Sequence, residues 1–193
     1  MPKRAHRAAV LARRRELTPS QVVSLSLALQ RRFLELPEYR AAGELALYAP
    51  IQGEAGTAEV AVAALAAGKT LLYPAVVGGD LKFCRVRALG ELKPGRFGIL
   101  EPEGPGCDPA GADLVVVPGV AFDVEGRRIG YGKGYYDRSL HHLEGSGKLV
   151  AFCYDFQLLQ EIVGEPHDVT MDLIVTESRV VRVNKHIREG EQQ

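Results

Sequence analysis

The stretch Arg128-Ile-Gly-Tyr-Gly-Lys-Gly-Tyr-Tyr-Asp137 sets glycines at 130, 132 and 134 around a lysine, with two tyrosines and an aspartate directly after. Bare backbone at alternate positions lets main-chain amides come close to a ligand. Those amides, the N-terminus of a helix expected from Tyr135 and the Lys133 ammonium together make an anion cradle that suits phosphate. The spacing fits neither a Walker loop, which needs Ser or Thr after the lysine, nor a dinucleotide-binding run, which needs two residues between its second and third glycines. A purely structural tight turn therefore stays open. Asp137, in the first turn of the expected helix, favours the helix dipole whatever the function. Beside a polyphosphate it can also hold Mg2+, which takes one or two carboxylates and leaves its other sites to phosphate and water. A second carboxylate stands at Asp168 in Glu-Pro-His-Asp, where an Asx-type turn is the plainer reading. His167 reads as an ordinary loop histidine. No Ser/His/Asp or Cys/His arrangement and no zinc-ligand spacing occurs.

The elements that must position these residues follow from local signals. Thr18-Pro19-Ser20-Gln21 is a capping box with proline at the first helical position, and Val22, Leu25, Leu29, Phe33 and Leu36 recur at helical spacing behind it. A strand is expected over 44–48, a turn over 50–56, an alanine-rich helix over 57–67 stopped by Gly68, and a strand over 69–73. Gly78-Gly79-Asp80 turns the chain into a hairpin partner over 81–86. A Pro- and Gly-rich connection fills 94–112, and 113–117 (DLVVV) is a buried strand. Then come a helix over about 135–143, a strand over 148–154, a short helix near 157–162, a strand over 172–176 and a polar tail from about Asn184. Apolar strands alternating with helices predict an α/β fold, a three-layer αβα arrangement with a mostly parallel central sheet. Ligands in such sheets bind beyond the carboxyl ends of the strands. The loops 49–56, 74–79, 118–134 and 163–171 should then share one edge.

Composition sets the outer limits. With 193 residues, 46% hydrophobic and 25% charged, the chain suits one globular domain over 1–193. Formal net charge is zero, so no basic footprint for nucleic acid or an anionic membrane is present, and any anionic ligand must be met locally. The apolar run 114–122 is broken by Pro118 and falls short of the ~20 residues of a membrane span. Cys84, Cys107 and Cys153 lie far apart without metal-ligand spacing, which argues for packing thiols in a reducing, cytoplasmic setting. The arginine-rich opening MPKRAHRAAVLARRR has no acid before Glu16, yet it runs straight into a helical pattern without a processing break, and no targeting role is read into it.

Taken in order, Lys3-(three)-Arg7, Tyr48-Ala-Pro-Ile-Gln-Gly-Glu54-Ala-Gly-Thr57, Leu72-Tyr-Pro74, Phe97-Gly-Ile-Leu-Glu101-Pro102, Pro118-Gly119-Val-Ala-Phe122-Asp123, the glycine-rich stretch and His167-Asp168 span nearly the whole chain. This set resembles the 5-formyltetrahydrofolate cyclo-ligase family, also called methenyltetrahydrofolate synthetases. The resemblance implies ATP- and Mg2+-dependent conversion of 5-formyltetrahydrofolate to 5,10-methenyltetrahydrofolate with release of ADP and phosphate; the expected partners are ATP and a reduced folate, and a monomer is expected. By the same resemblance Lys3, Arg4, Arg7, Arg128, Ile129, Gly130, Tyr131, Gly132, Lys133, Gly134, Tyr135 and Tyr136 bind ATP, and Asp137 and Asp168 hold the metal. The reduced folate is expected against Tyr48, Ala49, Glu54, Phe83, Tyr131, Lys133 and Tyr135, with Lys133, Arg128 and Glu54 in the catalytic roles. Read without the family, Lys3 and Arg7 form a solvated basic face one helical turn apart, and Phe83 is a core residue. Two other functions suit the same architecture: a non-catalytic nucleotide or anion sensor, and a sugar-phosphate isomerase or acyl-transferase relative working without ATP.

Overall fold

A computed structural model describes residues 2–95, 98–165 and 168–183. Phe97, His167 and the tail from Asn184 lie outside the described residues. The chain runs α1 (Lys3–Arg15), α2 (Pro19–Leu34), α3 (Pro37–Ala41), β1 (Glu44–Ala46), α4 (Ala58–Ala66), β2 (Thr70–Val77), β3 (Asp80–Val86), β4 (Lys93–Pro94), β5 (Leu100–Glu101), β6 (Leu114–Val117), β7 (Ala121–Asp123), β8 (Arg128–Ile129), α5 (Tyr135–Leu140), β9 (Leu149–Phe152), β10 (Leu158–Leu159), β11 (Leu173–Val175) and β12 (Val180–Arg182). The main sheet has the order β12-β11-β9-β6-β1-β2-β3, parallel throughout except at its two antiparallel edges.

Strand periodicity explains the layers. Leu114 and Val116 of β6, with Val150 and Phe152 of β9, face the helices α2, α3 and α4; Val115, Val117, Leu149 and Ala151 face α5. Successive side chains of a strand point to opposite faces, so a strand covered on both sides must be apolar at every position. DLVVV meets that demand, and burying each such side chain stabilises the fold by ~1.5–3 kcal/mol. The helix α2 starts at the Thr18 capping box: Thr18 Oγ1 accepts from the Gln21 amide at 3.2 Å and Gln21 Oε1 from the Thr18 amide at 2.8 Å. Its stripe buries Leu29 and Phe33, the latter packed edge-on against Phe152 at 5.0 Å between centroids.

A second sheet, β10-β7-β8, departs from the sequence expectation, which had a loop over 118–134 and a helix near 157–162. Residues 155–157 form one 3-10 turn and Leu158 and Leu159 then pair in parallel with Phe122 and Asp123. Gln157 makes that switch: its Oε1 accepts from the Tyr154 amide at 2.9 Å while Nε2 donates to Gly119 and Val120 carbonyls at 3.2 and 2.8 Å, tying the segment to the loop after β6 instead of letting it coil. Two smaller differences are the extension of β2 through 74–77, where a loop was expected, and the end of α5 at Leu140, followed by a 3-10 turn over His141–Leu143. Val10 of α1 packs with Val120, Ala121, Ile129 and Ile162, so α1 docks on the small sheet.

Asp123 staples the small sheet together. Fully buried, its Oδ1 accepts from the amides of Glu125 and Arg127 at 3.1 and 3.0 Å, and its Oδ2 from Arg127 Nε and the Ile162 amide, both at 2.7 Å. In Asp123→Asn one oxygen becomes an NH2 facing two donors. The loss of two such bonds should lower stability by ~2 kcal/mol, read as a lower urea midpoint with an unchanged slope. A midpoint equal to that of the wild-type chain would strip Asp123 of this role.

Candidate active site

Loops 49–56, 118–134 and 163–171 and the end of β2 line a cavity of about 610 Å3, the size of a site for a sizeable small molecule. Of the residues singled out in the sequence, Lys3, Arg7, Tyr48, Ala49, Glu54, Asp137, Asp168 and every position from Arg128 to Tyr136 face it. Arg4 does not; it is exposed on α1. Phe83 does not either, because the pleat of β3 turns it into the α5-side core with Ala46, Leu72 and Leu140. Ile51, Gln52, Pro74, Val76, Leu81, Ile99, Glu101, Pro118 and Glu165 line the cavity without having been assigned a role in it.

The glycine-rich stretch turns out of β8 into α5. Gly132 and Gly134 take φ of 93° and 66°, left-handed conformations that disfavour a Cβ, and Gly134 is the N-cap of α5. With α5 only six residues long, attraction for an anion comes mainly from the side chains around it. Arg7 Nε clamps the stretch by donating to the Gly130 carbonyl at 2.8 Å. Arg128, almost fully buried, donates from Nη2 to Asp137 Oδ1 at 2.6 Å. Lys3 donates to Asp168 Oδ2 at 2.5 Å and Glu165 Oε2 at 2.8 Å. Burial alone lowers the Lys3 pKa, but the hydrogen bonds to Asp168 and Glu165 outweigh it and leave it raised. Among the described residues no cluster of three or more metal-ligating side chains occurs. Asp137 and Asp168 nonetheless offer two hard oxygen donors in one cavity, and the Val169 amide, next in chain after Asp168, donates to Asp137 Oδ1 at 3.5 Å. That donor set suits a Mg2+ brought in on a polyphosphate.

A second group of side chains surrounds Glu54. Its loop is pinned throughout: Tyr48 Oη donates to the Ala55 carbonyl at 2.7 Å, Thr57 Oγ1 to the Tyr48 carbonyl at 2.8 Å, and Tyr154 Oη to the Glu54 carbonyl at 3.2 Å. The Glu54 carboxylate accepts from the Ile51 amide at 2.9 Å. Burial pushes its pKa up to about 7, against the pull of the Ile51 amide, the Arg14 charge and the Tyr131 hydroxyl. A carboxylate so placed can accept a proton near neutral pH. Burial, then the Glu54 charge, raises Tyr131 to about 12 and moves Tyr48 and Tyr136 upward too, so all three phenols stay protonated.

Arg14 is a buried charged side chain beside the site that sequence reading missed. It is 2% exposed, and its Nη2 donates to the Tyr131 hydroxyl. The available signal was helical: Lys3, Arg7, Val10 and Arg14 recur at spacings of four, three and four, so they share one face of α1.

The model of the "5-formyltetrahydrofolate cyclo-ligase family" matches residues 1–177. A 5-formyltetrahydrofolate cyclo-ligase of Mycolicibacterium smegmatis is 34% identical over 140 residues, 68% of this chain and 72% of that one. Its Escherichia coli namesake is 30% identical over 175 residues, 87% of this chain and 96% of that one. The NMR structure of Aquifex aeolicus 5,10-methenyltetrahydrofolate synthetase superposes with a TM-score of 0.84 at 36% identity, covering 100% of this chain and 96% of the other. A match over most of the chain, in sequence and in fold together, leads to one conclusion: the chain belongs to the 5-formyltetrahydrofolate cyclo-ligase family.

Proposed function

We propose that the chain converts 5-formyltetrahydrofolate to 5,10-methenyltetrahydrofolate, with ATP converted to ADP and phosphate. The observation that carries this reading is one cavity lined by two chemically different groups, the cations Lys3, Arg7, Arg128 and Lys133 along the glycine-rich stretch and the buried acceptor Glu54 among tyrosines. The first group suits a triphosphate and the second a reduced pterin with N–H groups to donate.

The chemistry needs both at once. A formyl amide is a poor electrophile, and ring closure must expel its oxygen. Attack of that oxygen on the γ-phosphorus of ATP breaks the bond to ADP and gives an imidate phosphate. The neighbouring folate nitrogen then attacks the activated carbon, the carbon–oxygen bond breaks, and inorganic phosphate leaves. Such a transfer asks the protein for alignment and charge stabilisation. Lys133 and Arg128 stabilise charge on the transferring group. Glu54 orients the attacking nitrogen and accepts the proton it sheds. Asp137 and Asp168 hold Mg2+, which when bound neutralises charge on the phosphates. The aromatic rings of Tyr48 and Tyr135 flank the pterin. The scheme is that of a monomer acting in the cytoplasm, a setting that three free thiols suit.

An oxygen label tests the reading. Folinate carrying heavy oxygen in its formyl group, mixed with the protein and MgATP, should yield the ultraviolet absorbance of the methenyl product and pass its label to inorganic phosphate. Methenyl product accompanied by unlabelled phosphate would rule out phosphorylation of the formyl oxygen.

A further inference from the structure

Arg14 lies beneath the cavity, between the Glu54 loop and the glycine-rich stretch. A Cβ added to Gly53 would touch the Arg14 Cγ at 3.7 Å, so the stem of Arg14 packs against the residue before Glu54. Its Nη1 is 3.4 Å from the Gly119 carbonyl and its guanidinium lies 5.6 Å from the Tyr131 ring centre. Its Nε is buried and has no partner among the described residues. A cation taken out of water to this depth costs several kcal/mol, and an apolar side chain would anchor α1 with less penalty. The carboxyl group within reach of its charge is that of Glu54. We propose that Arg14 is a positioning residue for the reaction: from behind the site it sets the place and the charge of Glu54, directly through its own charge and indirectly by holding the Tyr131 hydroxyl against the carboxylate.

The surroundings leave this task to Arg14. The titratable groups facing Glu54 are Arg14 from α1, Tyr48 after β1, Tyr131 and Tyr136 from the glycine-rich stretch, and Tyr154 after β9. The tyrosines are neutral at working pH, so Arg14 is the charged member of the set. Without it, burial would hold a proton on Glu54 further into the range where a proton acceptor is needed.

The inference rests on the folate-side role proposed for Glu54, and the test separates the two. In protein labelled with carbon-13 at glutamate carboxyls, with Glu54→Gln identifying the resonance, the Glu54 midpoint should lie near 7. Arg14→Met should move it up by about one unit, and Arg14→Lys should restore most of that. Tyr131→Phe, at a position 36% exposed and tolerant of change, should move it up by less and remains informative if Arg14→Met does not fold. The acid limb of kcat/KM for folinate should follow the carboxyl midpoint in each variant. A midpoint that stays in place in Arg14→Met and Tyr131→Phe overturns the proposal and leaves Arg14 an anchor of α1. A midpoint that moves without the acid limb supports the coupling of Arg14 to Glu54 and retires the folate-side role instead.

Discussion

Lys133→Ala is expected to fold as the wild-type chain does and to turn over roughly a thousandfold more slowly, the scale of losing one aimed charge from a transition state. The two halves of that expectation have separate causes. Lys133 is exposed, and no ion pair of its ammonium group is found among the described residues; only its backbone is engaged, its carbonyl accepting from Arg138 Nη1 at 3.0 Å. Removing such a side chain changes stability by about 0.5 kcal/mol or less. The charge, however, borders the cavity next to Gly132 and Gly134, where a bound triphosphate excludes water and strengthens the interaction. A thermal melt beside a single-turnover rate checks both halves. Wild-type turnover would remove Lys133 from the mechanism, and a parallel loss of folding would make its role structural.

Glu54→Gln has the second large effect, and it shows in stability as well as in activity. Folding raises the Glu54 pKa from its ordinary 4.5 to about 7, because burial disfavours the charged form. The native state therefore keeps a proton that the unfolded chain has released. Its stabilising contribution is full below about pH 4.5 and fades as pH rises through about 7. Up to about 3 kcal/mol is at stake. Urea midpoints of the wild-type chain should fall across this window, and Glu54→Gln should flatten that part of the curve. The same substitution should weaken folinate by ~10- to 100-fold while leaving ATP affinity nearly intact, as for the loss of a hydrogen bond to a charged group. Equal weakening of both ligands would contradict the folate-side role. Instability at neutral pH is here the counterpart of a poised acceptor.

What could be read from the sequence was local. The Thr18 box, the DLVVV run and the Gly78-Gly79 turn each specify their element within a few residues, and all three stand in the structure. The glycine-rich stretch was visible because three glycines around a lysine stand out locally, although its spacing alone left a purely structural turn open. The small sheet was not visible: β8 and β10 are two residues long, and Phe122 pairs with Leu158, a partner far along the chain. Arg14 shows the same limit at a single residue. It stands in the run Arg13-Arg14-Arg15, and only the docking of α1 on the small sheet decides which of the three is buried. Phe83 shows the converse, where the pleat of β3 overrode a role assigned by resemblance.

The paired charges Lys3–Asp168 and Arg128–Asp137 give the resting cavity its own internal counterions. Under the proposed function, a triphosphate arriving with a divalent ion would not fill vacant charges; Lys3 and Arg128 would have to leave Asp168 and Asp137 to meet it. Part of the attraction gained would be offset by the pairs broken, so the ground-state complex would be held less tightly than the number of charges suggests. After the proposed transfer, ADP and phosphate would each carry fewer charges than the triphosphate did. In the proposed reaction the protein's own carboxylates would then compete on better terms for Lys3 and Arg128, and re-forming the two pairs would favour departure of the products.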